Sequence, residues 1–437
     1  MRPGELRRRT AVHAALVLAL THARGNAQQE QIGKYALPTL ATYFADFEAA
    51  SKRDGGALWG VEIYGPLLVL DPIAQTMAGN RADALGKLRA LGGVHFGALP
   101  REIPPANAPA EWAGERWAVT LVSFLGETTE ERVSLFAHES FHRVQMSLGL
   151  YVFGEENEHL DGLEGRLWLQ LEWNALESAL AAQGEARVSA ARDALDFRAA
   201  RHARVPAARA RETKLELREG LASYTGLRIA GYDAAGALAA TRARRAKEET
   251  FVRSFAYLSG PYYGYLLDEA APAWRTHLTG ESDLAALLSE ALRLEPSAAR
   301  AEERAPAYGA TALRASEEAR ESARQARLAA WRASLVDGPV LIVDLALVAS
   351  RTVDTRKVFP FDAGRTVFTE RKLIGRFGAL EVHEGAILED AQRREGRVTL
   401  TGSAADHLSG PGWSLKLAPG WSVVAGERAG DFCLRAP

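Results

Sequence analysis

Cysteine is nearly missing from this chain: Cys433 is the only one among 437 residues. No intrachain disulfide can form. Nothing around Cys433 resembles a thiol–imidazole nucleophile, so it reads as a small core residue in a last strand. Long apolar runs are missing too. No stretch reaches the roughly 18 apolar residues that cross a bilayer, which excludes a transmembrane helix. An excess of charge of one sign is also absent, since 53 Lys and Arg face 55 Asp and Glu and leave a net charge of −2. Such a chain lacks the basic field of a nucleic-acid binder. Its Arg-rich stretches interleave acids and carry no row of aromatics for base stacking. There is no repeat of fixed period and no Gly-x-Ser-x-Gly elbow for a serine nucleophile. The remainder is ordinary, with 47% hydrophobic and 25% charged residues. Those values belong to a folded chain rather than a disordered, collagen-like or polytopic one, and the length allows roughly two or three domains.

The first residues read as an address rather than as structure. Arg2, Arg7, Arg8 and Arg9 precede a short apolar run, Thr10–Leu20, and Gly25-Asn26-Ala27 ends in small residues. This order of charge, apolar core and small residues predicts a signal peptide over 1–27 and a secreted or periplasmic protein. Residues 28–150 are expected to form a sheet and a metal-binding helix. Strand candidates are Leu58–Tyr64, Pro66–Asp71, Val94–Phe96 and Trp117–Phe124, with a Pro-rich loop from Pro100 to Pro109. A helix then opens on Thr128-Thr-Glu-Glu131, a capping-box pattern. Residues 151–335 read as a helical lobe, with helices over 160–182, 186–201, 210–231, 236–253 and 310–335. In the last of these, Glu and Arg at helical spacing predict a solvated face. After Asp337-Gly-Pro339 the composition turns to short strands and Gly or Pro turns, beginning with 340–348. That predicts a small all-β domain over 338–437.

One segment carries chemistry: His138-Glu139-Ser140-Phe141-His142. Two histidines at i and i+4 share one helix face, so both imidazoles reach one metal ion. Glu139, next to the first, is placed to take a proton from a water rather than to be a third ligand. With 10 histidines in 437 residues, a chance occurrence of this pattern is on the order of one in a hundred. Zinc with three protein ligands keeps a fourth position for water. The leading third ligand is Glu219, in Leu217-Arg-Glu-Gly-Leu-Ala-Ser-Tyr224, where Gly220 lets another backbone approach. The bland alternative is a surface acid in a helix shared with Glu212 and Glu216. Glu172, flanked by apolar residues, is the rival ligand or a support for a His ring, and Glu164 is a weaker third.

His138-Glu-Ser-Phe-His142, then Glu219-Gly-Leu-Ala-Ser-Tyr224, then Tyr257-Leu-Ser-Gly260 occur in that order. The set resembles the gluzincin metallopeptidases, especially the branch of leukotriene-hydrolase-type and glycyl aminopeptidases. The resemblance spans roughly residues 55–270. It implies an α+β, zincin-like domain with a cleft between sheet and helical lobe, and zinc on His138, His142 and Glu219. It also implies Glu139 as general base, with Tyr257 donating to the oxyanion; Tyr262, Tyr263 and Tyr265 are neighbours able to take that role. A sheet edge would bind extended peptide by strand addition. Two features depart from the family. Glu219 follows His142 by 77 residues, far more than the family's twenty or so. The family's amine-gripping Gly-x-Met-Glu-Asn segment is also missing, which argues against aminopeptidase action. The expected function is a secreted zinc metallopeptidase acting on peptide or protein substrates. Its competitor is a catalytically inactive zincin-like envelope protein with a binding or structural role, and a cell-wall amide is a further substrate candidate.

Overall fold

The structure, a computed structural model, describes residues 31–154, 156–352, 354, 357–362, 364–401 and 408–437. The expected signal peptide lies outside the described residues. The architecture is mixed α+β with a strand-rich C-terminal region.

The first layer is a six-stranded sheet. Its strands are β1 (Leu67–Asp71), β2 (Thr76–Gly79), β3 (Arg89–Leu91), β4 (Val94–Ala98), β5 (Ala110–Trp112) and β6 (Glu115–Leu121). The order across it is β3-β4-β2-β1-β6-β5. Strands β1 and β6 run parallel, with Leu68 opposite Val119, and every other pair is antiparallel. Successive side chains of a strand point to opposite faces. Leu67 and Val69 accordingly join the helix-side core, while Leu68 and Leu70 join Trp112, Trp117 and Ile103 on the other side. Both faces are covered, which explains why β1 reads as an unbroken apolar run.

Two helices pack on that core. Helix α1 (Leu37–Asp54), not anticipated from the sequence, sets the rings of Phe44 and Phe47 at 5.7 and 6.0 Å from Phe136. Phe136 belongs to α2 (Thr129–Gln145), whose capping box is formed as expected: Thr128 accepts from the Glu131 amide and Glu131 accepts from the Thr128 amide. The expected strand over 58–64 is instead a chain of turns. Gly55, Gly56 and Gly60 sit at φ 58°, 82° and 71°, a left-handed geometry that interrupts a ladder. The apolar side chains there bury without pairing; the Trp59 indole donates to Thr225 at 2.9 Å and packs on Phe141.

The helical lobe follows as α3 (Leu163–Ala181), α4 (Gly184–Arg204), α5 (Ala208–Leu215), α6 (Leu221–Ile229), α7 (Ala234–Arg245), α8 (Ala256–Ala270), α9 (Leu284–Ala291), α10 (Ala298–Arg304) and α11 (Ala310–Arg332). The helix expected over 210–231 is divided: a π-helical turn, Glu216–Gly220, separates α5 from α6. Such turns widen a helix locally and recur at functional sites. Beneath it lies a buried charge cluster. Glu172, Glu212 and Glu216 pair with Arg198 and Arg201, and His159 and His202 also bond Glu212. Buried charges persist only when paired in this way.

The C-terminal strands form two sheets of five and seven strands. Leu341, Val343, Leu373, Leu380, Val398 and Trp413 fill a common core. The expected strand 340–348 is broken into Val340–Asp344 and Val348–Arg351 because Asp344 caps a 3₁₀ turn between them, accepting from the Ala346 amide at 2.8 Å. Phe359, Phe361 and Leu388 pack on Leu328, Trp331 and Leu335, at the end of α11 and the turn after it. Most of α11 is exposed or half-exposed, with Glu317 buried against Arg166. Cys433 sits in the last strand, Phe432–Arg435, but is half-buried rather than part of the core.

Two measurements check this packing. In Gly226→Ala the new Cβ would meet the Ser134 carbonyl oxygen of α2 at 2.5 Å; the variant should lose about 1–3 kcal/mol in denaturant unfolding. For Glu212, burial favours the neutral form, but the Arg201 charge and the bonds from Arg201, His159 and His202 overcome it and hold the carboxyl well below its ordinary 4.5. A depressed carboxylate stabilises the fold above the ordinary range and loses that contribution as pH falls towards the folded value. Glu212→Gln should therefore cost about 3 kcal/mol at neutral pH, and the gap from wild type should narrow in acid.

Candidate metal centre

The α2 helix presents His138 and His142 on one face, one turn apart. Their Nε2 atoms lie 3.2 Å from each other. Glu219 Oε2 completes a triangle, 3.6 Å from His138 Nε2 and 3.3 Å from His142 Nε2. Ligand atoms sharing one tetrahedral ion at about 2.0–2.1 Å stand about 3.3 Å apart, so this donor set fits a small divalent cation.

Each of the three groups is held from behind. The Gln145 side-chain amide donates to the Leu217 and Arg218 carbonyls at 2.8 and 3.0 Å. Its oxygen must then be the acceptor facing His142 Nδ1 at 2.8 Å. That makes His142 Nδ1 the protonated nitrogen and leaves the Nε2 lone pair in the triangle. Gln145 thus orients a ring and ties α2 to the turn bearing Glu219. Ser223 Oγ stands 3.4 Å from His138 Nδ1. Glu219 accepts from the Tyr257 hydroxyl at 2.8 Å through Oε2 and from Arg218 Nε at 3.2 Å through Oε1.

Gly220 does what its position after the acid suggests. A Cβ there would stand 3.0 Å from the Gly260 Cα, and one on Gly260 would stand 2.2 Å from the Gly220 Cα. Two glycines in backbone contact bring α8 against the π-helical turn. That contact puts the Tyr257 ring on His138, stacked at 5.6 Å with 9° between planes.

The electrostatics follow. Burial pushes His138 down to about 4 despite Glu219. For His142 burial acts the same way, but the charge and hydrogen bond of Glu219 outweigh it and raise it to about 9. Burial disfavours ionised Glu219, yet His142 and His138 keep it well below the ordinary carboxylate range. The triangle is therefore a seat for positive charge, and a divalent cation competes there with a proton for the same lone pairs. Glu139 is 3% exposed, its Oε2 has no hydrogen-bond partner among the described residues, and burial pushes it up to about 8. An orphaned buried carboxylate oxygen beside a cation seat is a place for a water. For Tyr257, burial first and the Glu219 charge second raise the hydroxyl well above 10, so it stays a donor.

The other sequence candidates lie elsewhere. Glu172 pairs with Arg198 and Arg201 at 3.0 and 2.6 Å and accepts from Tyr263 at 2.7 Å. Those cations satisfy its charge, so it is no third ligand. Glu164 meets the Trp168 indole and Arg314, both at 2.9 Å. Tyr262 donates to Glu177 and Tyr265 to the Tyr232 carbonyl, so among these tyrosines Tyr257 is the one at the triangle. Glu212 and Glu216 are fully buried, not companions on a solvated face. Gln145, Ser223 and Arg218 were missed; Gln145 at i+3 from His142 was the available signal. No protein-family model, curated protein or solved structure matches this chain.

Replacing Gln145 with Leu should weaken divalent-metal affinity about 10–100-fold, the usual cost of losing a group that orients a ligand. Competition against a fluorescent chelator measures it. Undiminished affinity would show that His142 needs no such support.

Proposed function

We propose that this protein is an exported zinc metallopeptidase with a zincin-like catalytic domain, akin to the gluzincins. One observation carries the reading: two imidazole nitrogens and a carboxylate oxygen converge at tetrahedral spacing, with a second carboxylate buried beside them whose Oε2 has no hydrogen-bond partner among the described residues. His138, His142 and Glu219 would hold the metal, three protein ligands being the number that leaves a position for catalysis. Zinc there would supply Lewis acidity towards a scissile carbonyl and make a water acidic enough to ionise near neutral pH.

The chain does the rest. Glu139 accepts a proton from the attacking water and returns it to the departing amine nitrogen as the C–N bond breaks. Tyr257 donates a hydrogen bond from its hydroxyl to the oxygen of the former carbonyl, where negative charge develops. Gln145 and Ser223 keep the two imidazoles aimed, so little reorganisation is needed during the reaction. Glu219 would offset part of the cation's charge, the two ligating imidazoles being neutral.

Zinc-loaded protein should cleave denatured casein or a mixed peptide library, lose that activity on chelation and regain it with zinc. Glu139→Gln should lower kcat by at least about a hundredfold while binding zinc as wild type does. Tyr257→Phe should lower kcat by about 10²-fold with little change in KM. No cleavage by the zinc-loaded wild type, or full activity in Glu139→Gln, would reject the peptidase reading.

A further inference from the structure

Tyr257 is held differently from the tyrosines around it. Tyr262, Tyr263 and Tyr265 belong to the helix-side core, whereas Tyr257 joins no apolar cluster among the described residues. Two planar polar groups rest on its ring instead. The His138 imidazole is stacked on it at 5.6 Å with 9° between planes, and the Arg244 guanidinium carbon stands 4.2 Å from its centroid. Its hydroxyl donates to Glu219 Oε2 at 2.8 Å.

That bond matters for the reaction proposed above. The hydroxyl has to turn from Glu219 to the oxygen of the former carbonyl as charge develops there. The bond that fixes it is then given up, and what lies on the ring must keep the phenol aimed. His138 is one of the three groups of the metal centre, so its position is set by that centre. Arg244 is the independent hold.

The chain places Arg244 for this. It lies in the last turn of α7 with Arg242 and Arg245. Those two turn to Glu177, at 2.6 and 3.1 Å, while Arg244 turns to Tyr257. Arg244 Nε donates to Glu248 Oε1 at 3.1 Å, and the Glu248 side chain is 1% exposed. A buried acid four residues on thus grips one edge of the guanidinium and leaves its flat face for the ring. A planar cation over the negative face of an aromatic ring is attracted to it. The Arg244 side chain is 42% exposed, so its replacement opens no cavity in the core. Arg253, four residues before Tyr257, is engaged elsewhere, by Glu156 at 2.6 Å.

We propose that Arg244 is a positioning residue for Tyr257: its guanidinium holds the phenol against His138 while the hydroxyl passes from Glu219 to the oxygen where negative charge develops. The role rests on the peptidase reading and deepens it. Arg244 touches no reacting atom. It keeps a donor preorganised, so its effect belongs to the transition state rather than to substrate binding.

The test compares wild type, Arg244→Leu, Tyr257→Phe and the double variant, each as the zinc-loaded full chain, on the peptide that wild type cleaves best in a mixed library. Arg244→Leu should lower kcat and kcat/KM together by about tenfold, with zinc affinity and thermal midpoint near those of wild type. By calorimetry it should weaken, by the same factor, binding of a phosphinic analogue of that peptide, whose tetrahedral oxygens imitate the reacting centre. In Tyr257→Phe, which has no hydroxyl to aim, Arg244→Leu should change neither quantity further. Arg253→Gln, the control for a cation that does not rest on the ring, should leave both near wild type. Unchanged kcat in Arg244→Leu, a loss confined to KM, an equal further loss in the Tyr257→Phe background, or the same loss in Arg253→Gln overturns the positioning role and leaves the peptidase reading standing. No cleavage by wild type rejects the peptidase reading, and the positioning role falls with it.

Discussion

Two imidazole nitrogens facing each other at 3.2 Å repel unless a proton or a metal cation stands between them. Gln145 fixes the proton of His142 on the far nitrogen, so the near one offers a lone pair towards His138. The contact therefore calls for a proton or a cation, and Glu219 supplies the negative charge that keeps it there. The surrounding structure can be read as what holds this seat in place. The capping box anchors the helix that spaces the two rings. The glycine pair Gly220 and Gly260 lets a second helix reach that helix's face, and Gln145 stitches the two together through backbone carbonyls.

The turn that carries Glu219 is itself held by buried charge. Glu216, three residues before Glu219, is clamped by Arg198, and Glu212 by Arg201. The acids of this segment are thereby drawn inward while Arg211, Lys214 and Arg218 are left on the outer side. One pattern of charge thus does two jobs. Inside, it clamps the π-helical turn; outside, it leaves Arg218 free of Glu216 and bonded to Glu219 itself. That separation links the fold's stability to the chemistry it presents.

Much of the centre was legible because it is local. Histidines four apart on a capped helix meet whatever the tertiary fold, and a Gly after Glu219 announced a close backbone approach. What was not legible depended on distant partners. The burial of Glu172 followed from its apolar neighbours, but its charges come from Arg198 and Arg201, about one helix further on, and only packing reveals that they claim it. Tyr257 could not be told from Tyr262, Tyr263 and Tyr265, since the choice follows from the rotation of α8 that its glycine contact imposes. The segment 58–64 alternates in part like a strand, yet left-handed Gly55 and Gly56 just before it and Gly60 within it turn the chain, and its buried side chains fill a helical core. The mixed sheet and the strand-rich C-terminal region were readable from composition, whereas α1 went unassigned.

The account stands or falls on whether His138, His142 and Glu219 share one metal. X-ray absorption at the zinc edge, on protein loaded with one equivalent, addresses this directly. The spectrum should show a low-coordinate shell of nitrogen and oxygen at about 2.0–2.1 Å with two imidazoles, and Glu219→Gln and His138→Ala should each disrupt it. Failure to retain zinc, or a shell unchanged by either substitution, would contradict the central claim.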